Sequence, residues 1–288
     1  ALSPTPKQFI HETTRRWLFG AGLKMKTITS RDNSLLRQAR DVRDGKAGDL
    51  IFVEGLRLSE EALRSGLPIA AVIVSDELAR KDKVAELIKR LEASTETLAV
   101  VSEKLLESIS YTKTPQGIVV LAARPASGPK LLGEMMKNPA LIVVMHRINN
   151  PVNVGAILRT AEAAGATGAI ATRETSDPFS PKSLRGAMGA AFRLPLWFGP
   201  EYDDALGWCK GGHLRTVCAD VHAKDRHDQV DWKQPAALIL GPESNGLSQE
   251  EIAAADQSVQ IPMKGDAESL NVAVAAGVLL YEAARQRS

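Results

Sequence analysis

The chain of 288 residues is 44% hydrophobic and carries a net charge of +2. That is enough apolar material for one large core or two ordinary ones, and too little net charge to argue for nucleic-acid binding by itself. Cys209 and Cys218 are the only cysteines and lie in no metal-spaced Cys or His cluster, so neither a disulfide framework nor a zinc site is indicated and a reducing compartment fits. In chain order, residues 1–46 come first, with ten Lys/Arg against four Asp/Glu. Such a run is either a solvated arm or an electrostatic footprint for nucleic acid. Residues 1–25 read as a basic extension, transit-like in being poor in acids. No apolar run approaches a membrane span. Apolar stretches at 49–55, 69–75, 97–102 and 117–123 predict strands, with helical periodicity at 59–65, 77–92 and 102–109, which gives a small α/β domain over 26–125. Ser59, followed by two acids, is the expected cap of the first of these helices. Prolines among small residues mark a linker, placed at 126–137. Beyond it, strands are expected at 141–146, 168–172, 194–197, 214–219, 236–240 and 258–263 with helical patterns between them. Fully apolar strands such as "LIVVM" and "ALIL" alternating with helices argue for a parallel sheet covered on both faces, whose ligand sits at the carboxyl ends of the strands.

Three of those ends hold unusual residues. In "HRINNPVNVGAILRTAEAAG" (146–165), Asn150-Pro151 reads as a helix start and Gly165 as its stop. At about 100° per residue, Val154, Ile157, Leu158 and Ala161 form one stripe and Gly155, Arg159 and Glu162 another. Gly155 leaves room for a close partner beside the Arg159 guanidinium; the plain alternative is an exposed Arg159 paired with Glu162. The second segment, "LILGPESNGL" (238–247), is laid out like a phosphate cradle but carries Glu243 where a cation belongs. In the third, "QIPMKGDAESLNVAVAAGVLLYEAARQR" (260–287), Pro262 cannot donate to a ladder, so the strand stops or lies at an edge there and the backbone around Ile261 and Met263 is freed, and either Ser269 or Asn271 caps a long helix. Neither a G-x-G-x-x-G turn nor a GK[ST] loop is present, which disfavours nicotinamide and nucleoside triphosphate.

The ordered set "NNPVNVGAILRTAEAAGATG", "LILGPESNGLS" and "IPMKGDAESLNVAVAAGVLLYEAARQ", with "SPKSLRGAMGAAFRLPL" between the first two, resembles the motifs of the SpoU family of RNA ribose 2′-O-methyltransferases over residues 138–288. The stretch 26–125, through "FVEGLRL" and "KTPQGIVV", resembles the small RNA-binding module, akin to a ribosomal protein, that often precedes this catalytic domain. The resemblance implies an α/β fold whose carboxyl-terminal segment threads a loop to make a deep trefoil knot, with S-adenosylmethionine as cofactor in that knot. It implies cofactor contacts at Gly241, Gly246, Ile261, Met263 and Leu270. It implies a catalytic role for Arg159 beside the RNA phosphate and the 2′-hydroxyl, with Asn153, Glu243, Ser269 and Asn271 positioning substrate, loop and cofactor. A homodimer, a cytoplasmic location and a ribosomal or transfer RNA substrate are implied in the same way. The rival expectations are a catalytically inactive RNA-binding protein of this fold and a knotted enzyme that methylates a base.

Overall fold

A computed structural model describes residues 26–288, so the basic extension 1–25 lies outside the described residues. The chain divides into two compact units, one reaching Ala126 and including Phe179–Pro181, the other built from Ser127–Pro178 and Lys182–Ser288. Among the described residues no helix is long and apolar enough to cross a membrane.

The first unit runs β1 (Lys26–Ile28), α1 (Ser34–Arg43), β2 (Leu50–Glu54), α2 (Leu56–Arg64), β3 (Ile69–Ser75), α3 (Asp76–Ala79), α4 (Asp82–Glu92), β4 (Leu98–Val101), α5 (Glu103–Ile109) and β5 (Ile118–Ala123). Its five-stranded sheet has the order β1-β4-β3-β5-β2, with β5 antiparallel to both its neighbours. Leu36, Ala39 and Val42 recur every third residue of α1 and join Phe52, Ile73, Leu106 and Leu121 in one core. Two local expectations fail here. Helix α2 begins at Leu56 behind Gly55, and Ser59 lies inside it with its hydroxyl donating to the Gly55 carbonyl at 2.9 Å, so Ser59 is not the cap. A Ser hydroxyl in a helix interior has that carbonyl, one turn back, as its nearest acceptor. The helix expected over 77–92 is two, because Ser75 caps a single turn and Lys81 then takes an extended backbone.

The second unit comprises α6 (Pro129–Met135), β6 (Leu141–Met145), α7 (Pro151–Ala163), β7 (Gly168–Ala171), α8 (Pro181–Ala187), α9 (Ala190–Arg193), β8 (Leu196–Phe198), α10 (Tyr202–Gly211), β9 (Arg215–Ala219), β10 (Asp225–Arg226), β11 (Ala236–Leu240), α11 (Gln249–Ala254), β12 (Gln257–Gln260) and α12 (Val272–Arg287). Residues 126–137, expected as a linker, hold α6, started by Pro129 and anchored by the fully buried Leu132. The seven-stranded sheet, in the order β10-β12-β9-β11-β6-β7-β8, is parallel throughout. Strand β6 is buried at every residue. Its Ile142 and Val144 join a cluster with Leu132 of α6 and Leu206 of α10, and the pleat turns Leu141, Val143 and Met145 to the other face. Helices α7 and α12 pack against each other. The last strand stops at Gln260, short of the expected 263, since Pro262 has no N–H for the ladder. Leu240 pairs with Met145, and Cys218 with both Ile239 and Ser258, so β6, β9, β11 and β12 end on one edge of the sheet.

Candidate functional site

The loop leaving β11 folds back on itself. A Cβ on Gly241 would lie 2.8 Å from Leu247 Cγ and 3.0 Å from its nitrogen, so only glycine lets the buried Leu247 close over this point. Gly246 has a φ of +66°, and its N–H donates to the Pro242 carbonyl at 3.1 Å, closing the turn. Ser248 then caps α11 in a reciprocal box: its hydroxyl accepts from Glu251 N at 3.2 Å, and the Glu251 carboxylate accepts from Ser248 N at 2.7 Å.

Glu243, the acid that did not suit a phosphate cradle, accepts from Asn153 Nδ2 at 2.6 Å. The buried Asn153 in turn accepts from Asn271 Nδ2 at 3.4 Å, and Asn271 Oδ1 caps α12 by accepting from the N–H groups of Ala273 and Val274. Three segments far apart in sequence thus meet in one hydrogen-bonded run, Glu243–Asn153–Asn271. Asn271, not Ser269, is the helix cap; Ser269 is exposed and bonds to none of these residues.

Helix α7 starts as its sequence requires, with Asn150 Oδ1 accepting from Val152 N at 3.0 Å and Pro151 in the first turn. Its apolar stripe, Val154, Ile157, Leu158 and Ala161, is fully buried. The room at Gly155 has a different occupant from the one expected. A Cβ there would lie 2.3 Å from the Ser183 carbonyl oxygen and 2.9 Å from Gly186 Cα, so the glycine admits the backbone of α8 and not a ligand beside the guanidinium. Arg159 is exposed and makes no hydrogen bond or ion pair among the described residues. Glu162, its expected partner, takes the guanidinium of Arg193 on α9 instead, with Nη2 to Oε2 at 2.8 Å.

Ile261, Pro262 and Met263 leave β12 half-buried, and Leu270 is exposed just before the Asn271 cap. Residues 262–270 make no backbone hydrogen bond among the described residues.

Sequence reading missed a second cluster on the same edge. His146, directly after β6, is buried; its Nε2 lies 3.0 Å from Glu251 Oε1 and its Nδ1 2.9 Å from Thr172 Oγ1. An ionised carboxylate only accepts, so Nε2 carries the proton and Thr172 donates to Nδ1. Arg147 Nη2 reaches the same Glu251 oxygen at 2.5 Å from a backbone held at a φ of +51°. Burial pushes His146 below its ordinary value against the pull of Glu251. For Glu251, burial pushes up, but the Ser248 N–H and His146 outweigh it and the carboxyl ends lower than usual. These residues line a cavity of about 570 Å³ that none of the candidate residues touches. The one signal available in the sequence was the S-x-x-E spacing of Ser248 and Glu251, which marks a helix start and says nothing of His146. The two cysteines are free and buried, and burial pushes Cys209 to about 12 and Cys218 to about 11, so both thiols stay protonated.

Comparison with known proteins places these features. Residues 140–281 match the SpoU rRNA Methylase family and residues 35–120 the MRM3-like substrate binding domain. A 23S rRNA (uridine(2479)-2′-O)-methyltransferase of Streptomyces viridochromogenes is 31% identical over 247 residues, covering 84% of each chain. The 23S rRNA (guanosine(2553)-2′-O)-methyltransferase RlmP of Bacillus subtilis is 28% identical, covering 89% of this chain and 98% of its own. An AdoMet-bound rRNA methyltransferase from Sinorhizobium meliloti superposes with a TM-score of 0.80 at 29% identity, over 91% of this chain and 98% of its own. With the motif residues gathered at the carboxyl edge of a parallel sheet and relatives matched along nearly their whole length, the chain belongs to the SpoU rRNA methylase family.

Proposed function

We propose that this chain transfers a methyl group from S-adenosylmethionine to the 2′-hydroxyl of a ribose in ribosomal RNA. The observation that carries the reading is the Glu243–Asn153–Asn271 run, which ties the loops after β11 and β12 to helix α7 while the Arg159 guanidinium on that helix stays unengaged. The residues suit the cofactor. The backbone of 262–270 has donors and acceptors to spare, Ile261, Met263 and Leu270 offer apolar contact beside them, and the tight turn at Gly241 holds no cation that would call for a triphosphate.

When bound, S-adenosylmethionine supplies a sulfonium methyl that the ribose oxygen takes while the carbon–sulfur electron pair stays with sulfur. The protein's work is to hold the hydroxyl and to provide a route for its proton. An unperturbed guanidinium, with a pKa above about 12, is a very poor base. Arg159 therefore polarises the hydroxyl and pins the adjoining phosphate, and the proton leaves by way of that phosphate or solvent. Asn153 holds Glu243 and Asn271 so that both loops keep one geometry, in which alignment supplies much of the rate. Ser269 is placed in the loop that receives the cofactor.

The same reading includes a homodimer, a trefoil knot and a cytoplasmic location. A dimer surface is supported by Val274, Val278 and Tyr281, spaced along one face of α12 and 53%, 37% and 56% exposed. The knot is supported by strand order, with β11 inserted between β9 and β6 and β12 placed beyond β9. Residues 26–125 serve as the RNA-binding domain and 138–288 as the catalytic domain.

The test is to incubate the protein and labelled S-adenosylmethionine with ribosomal RNA from cells lacking it, and to analyse the nucleosides by mass. Label on ribose, surviving depurination, supports the proposal. Label on a base points to a base methyltransferase, and RNA binding without label to an inactive relative.

A further inference from the structure

Between α5 and β5 the chain passes through Ser110-Tyr-Thr-Lys-Thr-Pro-Gln-Gly117 without regular structure, yet it is fastened at three places. At its start, Arg43 Nη1 donates to the carbonyls of Ile109 and Ser110 at 3.2 and 3.3 Å. Next, Glu54 at the end of β2 accepts from Tyr111 N, Thr112 N and the Thr112 hydroxyl at 3.1, 3.2 and 2.7 Å. At the far end, Gln116 Oε1 accepts from Leu56 N at 3.2 Å, across Gly55, where a Cβ would meet that oxygen at 2.8 Å. Glu54 is only 8% exposed. A carboxylate is costly to bury unless donors surround it, and every donor to Glu54 comes from this loop. Its effect on the fold is to give the loop one shape.

What the fastenings leave outside is an aromatic ring, with a lysine on the same loop and an arginine on the helix to which that loop is tied. Tyr111 is bound only through its backbone and keeps its side chain free, at 45% exposure. Lys113 is exposed two residues on, and Arg57 is exposed next to Leu56, the residue that Gln116 grips. The surroundings are not uniformly basic: Glu61 pairs with Arg64 and Asp44 with Arg43, while Glu60 is exposed one turn along α2. A mixed rim disfavours binding by bulk charge. A preorganised aromatic with one or two cations suits stacking of an unpaired base, the cations meeting the adjoining phosphates.

We propose that Tyr111, with Lys113 on the same loop and Arg57 at the start of α2, is the surface on which the amino-terminal unit stacks an unpaired nucleobase of its RNA. This rests on the reading of the chain as an RNA methyltransferase. The probe is deproteinised ribosomal RNA from cells lacking the protein, with filter binding for RNA, calorimetry for S-adenosylmethionine, and methylation rates at several RNA concentrations. Tyr111→Ala should weaken RNA binding about ten-fold or more and raise KM for RNA by a similar factor, with cofactor affinity unchanged. Tyr111→Phe, which keeps the π-face, should stay within about two-fold of the wild type. Ultraviolet cross-linking should attach RNA to the peptide that contains Tyr111. Wild-type affinity in Tyr111→Ala would overturn the proposal, and an equal loss in Tyr111→Phe would overturn stacking in favour of a hydroxyl contact. A wild-type protein that binds this RNA but transfers no methyl group refutes the methyltransferase reading instead, and leaves the Tyr111 comparison to be judged on binding alone.

Discussion

Two irregular segments, one in each unit, are held in opposite ways. The loop 110–117 has its backbone tied down by Arg43, Glu54 and Gln116, whereas residues 262–270 make no backbone hydrogen bond among the described residues and are secured at one end by Asn271. Backbone N–H and C=O groups must find partners in the protein, in water or in a ligand. Where the protein supplies them, the segment presents side chains from a fixed frame and loses little entropy on binding. Where they stay open, the segment uses its own backbone to grip what arrives. The first arrangement suits a surface that reads RNA, the second a pocket that takes a small molecule.

The largest expected effect separates chemistry, through Arg159 on α7, from cofactor binding by the second segment. Arg159→Ala should lower methyl transfer by about two orders of magnitude, the scale of one lost transition-state contact. In hydrogen exchange, S-adenosylmethionine should protect the amides of 262–270 in wild type and variant alike and leave 110–117 unchanged. Near-normal turnover would remove Arg159 from the mechanism, and absent protection would break the contrast between the loops.

Next in size is the scaffold under the open segment. Gly155→Ala puts a Cβ within 2.3 Å of the Ser183 carbonyl, which is backbone and cannot swing aside. Overpacking of this kind costs about 1–3 kcal/mol. The urea midpoint should fall, and activity with it, because α7 carries Asn153. An unchanged midpoint would mean that α7 and α8 separate freely.

Asn271 permits a finer cut. Asn271→Ala removes a cap and should cost about 1 kcal/mol of stability. Asn271→Asp keeps the acceptor for Ala273 and Val274 but cannot donate to Asn153. Its stability should therefore hold while activity drops, since the open loop loses its tie to α7. If activity in both variants follows only the folded fraction, the residue is a cap and nothing more.

The smallest effect concerns pH and the cluster beside the loop after β11. His146 and Glu251 both sit below their ordinary values of 6.5 and 4.5. A depressed group favours the fold above its unfolded pKa and loses that contribution as pH falls through its folded one. The thermal midpoint should thus decline below about pH 6.5, through His146, and further below about pH 4.5, through Glu251. In His146→Gln the first part of the decline should vanish; a profile identical to the wild type would show that His146 is not its source.

Much of the catalytic unit was legible because its signals are local or periodic. The run "LIVVM" announced a strand buried on both faces, Asn150-Pro151 announced the start of α7, and the 3.6-residue spacing of Val154, Ile157, Leu158 and Ala161 announced which side would be buried. Where the chain offered two equivalent local solutions, the reading went astray or stayed open. Ser59 looked like a cap but lies one turn inside α2, and Ser269 and Asn271 are both acceptable caps two residues apart. Only the position of Asn153 decides between the latter, by receiving the amide of Asn271 at 3.4 Å.

By itself, then, the sequence determined the alternation of strands and helices, the parallel sheet and the order of the three motif segments, since each depends on residues within a few positions of one another. The tertiary structure alone decided who meets whom. It paired Glu162 with Arg193 and left Arg159 open, it gave the room at Gly155 to the backbone of α8, and it brought His146 to a carboxylate 105 residues away. Such contacts are set by strand register and by the angles at which helices cross the sheet, and short-range periodicity carries no record of either.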